Sequence, residues 1–245
     1  MKRKGTLLVL VMLLVLGAIP ALAQDGAQPE AQRVELAASD GLTLVGDYYA
    51  PVPLDEDAET GAPAVLLLHQ LGGRRGAWEP IFAPLLEAGY AVLTVDMRAH
   101  GETGGRENWP LAEDDHQRWI DWLRAQDGID AARVSVVGAS IGSNMALRAM
   151  ANDADIVTVV ALSPGLDYAD VTTADAVEAI GNRPVMLVAA HRDTQSVEGV
   201  RELTLTLRGD SLVRLYDSTA HGYGLFLVKD DLIPLIIDWL DWQSR

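Results

Sequence analysis

The sequence predicts an open α/β sheet, mostly parallel and eight-stranded, with helices on both faces and no large cap domain. Three observations carry this expectation. Short apolar runs rich in Val, Leu and Ala recur at 64–68, 91–95, 134–137, 156–162 and 185–190, with a more mixed sixth at 212–216. Helical patterns at 78–88, 114–126, 143–152, 170–180, 197–208 and 225–242 follow them in alternation. Near the start, segments 33–37 and 42–49 flank Ser39-Asp40-Gly41, a turn sequence.

Each element follows from its residues. The turn suits an antiparallel hairpin at the sheet edge. Segment 51–63 is acidic and bounded by prolines, which reads as an exposed loop. The apolar runs are strand-length and lack polar alternation, as strands covered on both faces do. Parallel neighbours need long crossovers, and the helical patterns supply them. Neither an internal repeat nor an interdomain linker is visible, so residues 33–245 are expected to form one domain.

The N-terminus has a different design. Met1-Lys2-Arg3-Lys4 precedes an apolar run at 7–16 and then Pro20-Ala21-Leu22-Ala23-Gln24. A basic start, an apolar middle and small residues before a polar one are the layout of a secretory signal peptide, with cleavage expected after Ala23. The alternative is an uncleaved anchor helix, but the apolar stretch falls short of the roughly 20 residues a spanning helix needs. The protein is therefore expected to be secreted or periplasmic, with no stable membrane insertion after cleavage. Residues 24–32, polar and without periodicity, are expected to be a flexible leader.

Composition narrows the chemistry. The 245 residues include 35 acidic and 19 basic side chains, a net charge of −16. Residues 1–23 hold three basic and no acidic side chains, so the processed chain has 35 acidic and 16 basic, a net of −19. Such a charge disfavours nucleic acid, whose binding draws on Lys and Arg neutralising phosphates. There is no cysteine, which excludes disulfides, thiolate metal sites, a cysteine nucleophile and a lipid-modified N-terminal cysteine. No histidine pair or carboxylate cluster has ligand spacing, so no metal or other cofactor is expected.

The strongest motif is Gly138-Ala139-Ser140-Ile141-Gly142, which follows the apolar run at 134–137 and opens the helical pattern at Ser143. A Gly-x-Ser-x-Gly at a strand-to-helix turn lets neighbouring backbone pass close by and projects the serine oxygen above the strand ends. Ser140 is thus the candidate nucleophile. It needs a base to take its proton and a carboxylate to orient that base. Of five histidines, only His221 follows the last strand on a short glycine-bearing loop; His69 and His100 precede the serine, His116 lies in a helical stretch and His191 follows an earlier strand. Asp193, on the loop after 185–190, is the leading acid, although an aspartate there also suits a helix cap. Asp167 competes for the role, and Asp217, near His221 in sequence, is expected to belong to the turn there. For an oxyanion, Ile141 offers one backbone N–H, and Leu71, or else Gln70, offers a second from the loop His69-Gln70-Leu71-Gly72-Gly73. His69 is expected to brace that loop.

These residues together resemble the α/β-hydrolase superfamily, and within it the small dienelactone-hydrolase-like and serine-esterase-like members. The resemblance runs from Val34 to Trp242. It includes the Ser39-Asp40-Gly41-Leu42-Thr43-Leu44 hairpin, the His69–Gly73 loop, Trp78, and Asp96-Met97-Arg98-Ala99-His100-Gly101-Glu102-Thr103, which looks like the family's loop after its fourth strand. Ala99 stands where the family usually has glycine, and Ser140 stands where dienelactone hydrolases proper have cysteine. The resemblance implies a serine hydrolase acting through an acyl-enzyme on a small-molecule ester. Residues 163–184 leave room for one short helix only, so the expected site is open and suited to short-chain or otherwise accessible esters. A peptidase or amidase, a lactone hydrolase, and a non-catalytic small-molecule-binding protein of the same fold are the alternatives. Trp78, Trp109, Tyr168, Tyr223 and Phe226 are aromatics that either line a pocket or fill the core.

Overall fold

The computed structural model describes residues 30–52 and 61–244. The expected signal peptide at 1–23 and the leader as far as residue 29 lie outside the described residues, as does most of the acidic loop, at 53–60. The first strand already begins at Gln32, one residue inside the expected leader.

β1 (Gln32–Ala37) and β2 (Thr43–Tyr49) form the expected antiparallel hairpin, with Ala37 opposite Thr43. Then follow β3 (Ala62–Leu68), α1 (Glu79–Glu87), β4 (Ala91–Asp96), α2 (Trp109–Arg124), β5 (Ile129–Ala139), α3 (Ile141–Asn152) and β6 (Ile156–Leu162). A small antiparallel pair, β7 (Asp167–Tyr168) and β8 (Val171–Thr172), leads into α4 (Ala174–Ile180), β9 (Val185–Ala190), α5 (Thr194–Thr206), β10 (Leu212–Tyr216) and α6 (Leu232–Gln243). Eight strands form one sheet in the order β1-β2-β4-β3-β5-β6-β9-β10. Within this sheet only the pairings made by β2 are antiparallel; β4, β3, β5, β6, β9 and β10 run parallel.

The continuous apolar runs are explained by burial on both faces. Along β3, Leu66 and Leu68 enter one core cluster with Leu93, Trp119 and Met145, while Val65 and Leu67 enter the other with Trp78, Ile81 and Leu240. Every one of these side chains is at most 1% exposed. Burying a leucine or valine this fully is worth about 1.5–3 kcal/mol.

Four boundaries depart from the pattern reading. α2 starts at Trp109 rather than 114, because Asn108 accepts the Leu111 N–H at 3.1 Å and Pro110 occupies the first turn, where no N–H is needed. β5 starts at Ile129, where it meets Ala62; Asp130 and Arg133 interrupt its first half, so no continuous apolar run marks it. The stretch expected as a helix from 170 holds the β7–β8 turn instead, with Ala169 and Asp170 at φ 53° and 69°. The expected helix 225–242 is divided into a 3-10 turn, Gly222–Leu227, and α6. Pro234 fixes that break, since a proline further inside a helix clashes with the carbonyl four residues back.

Arg98 ties the segments of the first half together. It is 4% exposed and makes two 2.9 Å bonds to Asp115 of α2 and bonds of 2.7 and 3.2 Å to Asp40 of the β1–β2 turn. Arg75 joins Asp47, the buried Asp96 and Glu102 in a second network. Between them Ala99 takes φ 71°, which explains why a glycine suits this position. Left-handed backbone costs a residue with Cβ roughly 1–2 kcal/mol. Ala99→Gly should therefore stabilise the fold by about 0.5–1 kcal/mol after its larger unfolded-state entropy is counted. Chemical denaturation of the two proteins checks this, and a lower midpoint for the glycine variant would refute it.

Candidate active site

The site is built at the carboxyl ends of β3, β5, β9 and β10. At the end of β5, Ser140 has φ 54° and ψ −122°, a left-handed conformation that costs a side chain on the order of 1–3 kcal/mol. The surrounding backbone holds it there. Its N–H donates to Leu162 of β6 at 2.8 Å, and its carbonyl accepts from the Ser143 N–H at 2.8 Å and the Ser143 hydroxyl at 2.5 Å. The two glycines of the motif have separate reasons. A Cβ on Gly138 would come 2.1 Å from the Gly142 carbonyl oxygen, and one on Gly142 would come 2.2 Å from that of Leu68. The bend thus needs bare backbone both within itself and where α3 crosses the end of β3.

Backbone pairing beyond β9 and β10 brings the next two residues together. The His191 N–H donates to Tyr216 at 2.8 Å and the Arg192 N–H to Ser218 at 3.0 Å, so the two loops continue side by side after the strands stop. Asp193 and His221 are carried into contact. His221 Nδ1 lies 2.7 Å from Asp193 Oδ2, and its Nε2 lies 2.7 Å from Ser140 Oγ. Ser140, His221 and Asp193, the three residues singled out from the sequence, form one unbroken hydrogen-bonded chain. Asp193 does occupy the N-cap position of α5, but its side chain makes no cap bond and turns to the histidine instead. The competing acids are elsewhere: Asp167 is exposed and accepts the Asp170 N–H, and Asp217 is exposed and pairs with Arg192 at 3.2 Å.

Ile141 is the first residue of α3, so its N–H has no partner within the helix. Leu71 lies on the loop after β3 with its side chain 51% exposed. Two neutral histidines hold that loop. His69, fully buried, accepts the Met97 N–H at Nε2 (3.0 Å) and donates from Nδ1 to the Gln70 carbonyl (2.8 Å). His100 accepts the Gly72 N–H at Nε2 (3.0 Å) and donates from Nδ1 to the Arg98 carbonyl (2.9 Å). His69 is a brace, as its position before Ser140 in the chain implies. For His100 nothing local in the sequence announces this role, since its partner is 28 residues away. A cavity of about 530 Å³ opens between Gly72, Gly73, Arg74 and Tyr223, the last two residues beyond His221. Among the aromatics, Trp78 is core, and Tyr223 and Phe226 pack against it at 6.1 Å.

The arrangement is that of an open α/β sheet with a strained serine at a strand-to-helix turn, faced by a histidine that a carboxylate orients. Comparison with known proteins agrees on the fold. A family model for the alpha/beta hydrolase fold matches residues 63–198, more than half of the sequence, and the chain belongs to that family. An esterase from Pyrococcus furiosus superposes with a TM-score of 0.76 at 21% identity, over 89% of this chain and 92% of that one. A dienelactone hydrolase from Anabaena variabilis does so with a TM-score of 0.70 at 19% identity, over 89% and 100%. Among curated proteins, quorum-quenching protein AidA of Acinetobacter baumannii is 32% identical over 114 residues, 44% of this chain and 38% of its own. An uncharacterized 31.7 kDa protein of Escherichia coli is 31% identical over 102 residues, 40% of this chain and 36% of its own. The matched regions thus span little more than a third of those relatives' lengths.

Burial sets the acid behaviour of the scaffold. Desolvation lowers His69 to about 4, and lowers His116, fully buried in α2 with both ring nitrogens unpartnered among the described residues, to about 3. Both are neutral in the folded protein at neutral pH. From about pH 6.5 down to about 4 the unfolded chain binds protons at these positions and the folded one does not. Stability therefore falls with falling pH, by about 1.4 kcal/mol per pH unit for each histidine. Denaturation at pH 7 and pH 5 should show this loss, and His116→Leu should reduce the slope by about one proton; an unchanged slope would refute the assignment.

Proposed function

We propose that this protein is a serine hydrolase, a carboxylesterase acting on small, accessible esters outside the cytoplasm after removal of residues 1–23. The single observation that carries the reading is the 2.7 Å and 2.7 Å chain from Ser140 through His221 to Asp193. In it the Ser140 hydroxyl donates to Nε2, and Nδ1–H donates to the Asp193 carboxylate. This is the tautomer a general base requires.

The chemistry follows in two halves. His221 takes the Ser140 proton as Oγ attacks the ester carbonyl, and the carboxylate of Asp193 stabilises the imidazolium that forms. The N–H groups of Ile141 and Leu71 bind the oxyanion of the tetrahedral intermediate. His221 then protonates the departing alcohol, leaving an ester of Ser140, and the same steps with water release the acid. These steps call on no cofactor. Short substrates are favoured because the 22 residues between β6 and β9 hold only the β7–β8 turn and the seven-residue α4, which cannot form a domain over the site.

A fluorophosphonate probe should label the folded protein at Ser140 and leave Ser140→Ala unlabelled; an unlabelled parent would favour the non-catalytic binding protein. Asp193→Asn should lower kcat by about three to four orders of magnitude, because the amide offers its hydrogens to Nδ1 and forces the wrong tautomer. In a panel of nitrophenyl esters, lactones and amides, the highest kcat/KM should fall on linear acyl chains of two to about six carbons. Best activity on long chains, on lactones or on amides would replace that substrate class.

A further inference from the structure

The imidazole of His221 has a second neighbour on its Nδ1 side. Ser196, on α5, is fully buried, and its Oγ lies 3.3 Å from Nδ1. The hydroxyl belongs to a small buried ladder. Ser196 Oγ is 3.4 Å from the Ser163 carbonyl oxygen and 3.0 Å from the Tyr168 hydroxyl, which is itself 3.2 Å from the same carbonyl. Ser163 is completely buried, holds φ 55° at the end of β6, and accepts the Gly222 N–H on its Oγ at 2.9 Å. The ladder is therefore fastened to the residue that follows His221. The Tyr168 ring stands edge-on to the imidazole at 6.2 Å.

Counting hydrogens settles the direction of these bonds. Nδ1 carries one hydrogen, shared unequally between Asp193 Oδ2 at 2.7 Å and Ser196 Oγ at 3.3 Å. While it is there, the Ser196 hydroxyl cannot donate to Nδ1. Its own hydrogen goes to the Ser163 carbonyl or to Tyr168, and in either case an oxygen lone pair faces the ring. The described groups around the imidazole are Ser140 from the β5–α3 turn, Asp193 and Ser196 from α5 and Tyr168 from β7, and of these only Asp193 is charged.

We propose that Ser196 is a positioning residue, a second acceptor for the Nδ1–H of His221. Held by Ser163 and Tyr168, it keeps the imidazole in the tautomer with a free Nε2 lone pair when the Asp193 carboxylate is missing. The proposal rests on the serine-hydrolase reading above. It separates two substitutions of the acid that would otherwise be equivalent. In Asp193→Asn the amide N–H competes for Nδ1 and stabilises the unproductive tautomer. In Asp193→Ala no donor replaces the carboxylate, and Ser196 is the remaining side-chain acceptor.

The test is a double-mutant cycle on the full chain, with hydrolysis of a short nitrophenyl ester as readout. Asp193→Ala should keep at least about tenfold more kcat than Asp193→Asn. Adding Ser196→Ala should remove that advantage, whereas Ser196→Ala alone should cost only about two- to fivefold. In the single variant the acidic limb of kcat/KM should also move to lower pH, because the imidazolium loses an acceptor. A purely structural serine would leave that limb in place. The proposal fails if Asp193→Ala is no better than Asp193→Asn, or if Ser196→Ala has the same effect in both backgrounds. Residual activity in Ser140→Ala would instead refute the underlying hydrolase reading. If Ser196→Ala does not fold, Ser196→Cys, a near-isostere with a poor acceptor, should give the same ordering.

Discussion

The close crossing of α3 over the end of β3 is the constraint on which the site depends. Gly142 lies so near the Leu68 and His69 carbonyls that no side chain fits between them. This one approach places the strained Ser140 and the loop carrying Leu71 on the same small patch. The strain at Ser140 persists because its N–H and carbonyl are both bound by neighbouring backbone and hydroxyl groups. A serine on a relaxed turn would lose the fixed direction of its oxygen, and with it the alignment to His221.

Around this crossing the protein separates charged from neutral support. The loop after β3 is held by His69 and His100 as neutral rings, each accepting a backbone N–H and donating to a carbonyl. Further out, Arg98 and Arg75 fasten the hairpin, α2 and the loop after β4 through carboxylates. The division has a physical basis. An arginine can be buried when several carboxylate oxygens satisfy its donors, whereas a charge on His69 would abolish the acceptor that Met97 uses. The strong acidic excess of the chain is thus used partly for internal fastening.

Much of this could be read from residue order. Apolar runs locate six strands, and Gly-Ala-Ser-Ile-Gly locates the strained bend at Ser140 because a bare-backbone bend after a strand has few other sequences. Asp193 and His221 were legible for a topological reason: each follows a strand, and the strands are neighbours at one sheet edge. Elements defined by polar residues or by turns were not legible. The first half of β5 is strand only because Ala62 pairs with Ile129, and the β7–β8 turn depends on positive φ at Ala169 as well as Asp170, a conformation that alanine does not favour. The roles of Ser163, Ser196 and His100, and the place of Tyr168 beside the imidazole, are not legible because their partners are distant in sequence or lie on another element.

The sequence by itself determined the alternation of buried strands and helices, the bend at Ser140 and the candidate trio Ser140, Asp193 and His221, because these depend on local periodicity, glycine placement and chain order. The tertiary structure alone decided that the Asp193 side chain turns to His221 rather than capping α5, and that Ser196 and Tyr168 close around the imidazole. Those choices are competitions between hydrogen-bond partners of similar strength, and only the packing of one element on another brings the competing partners within reach.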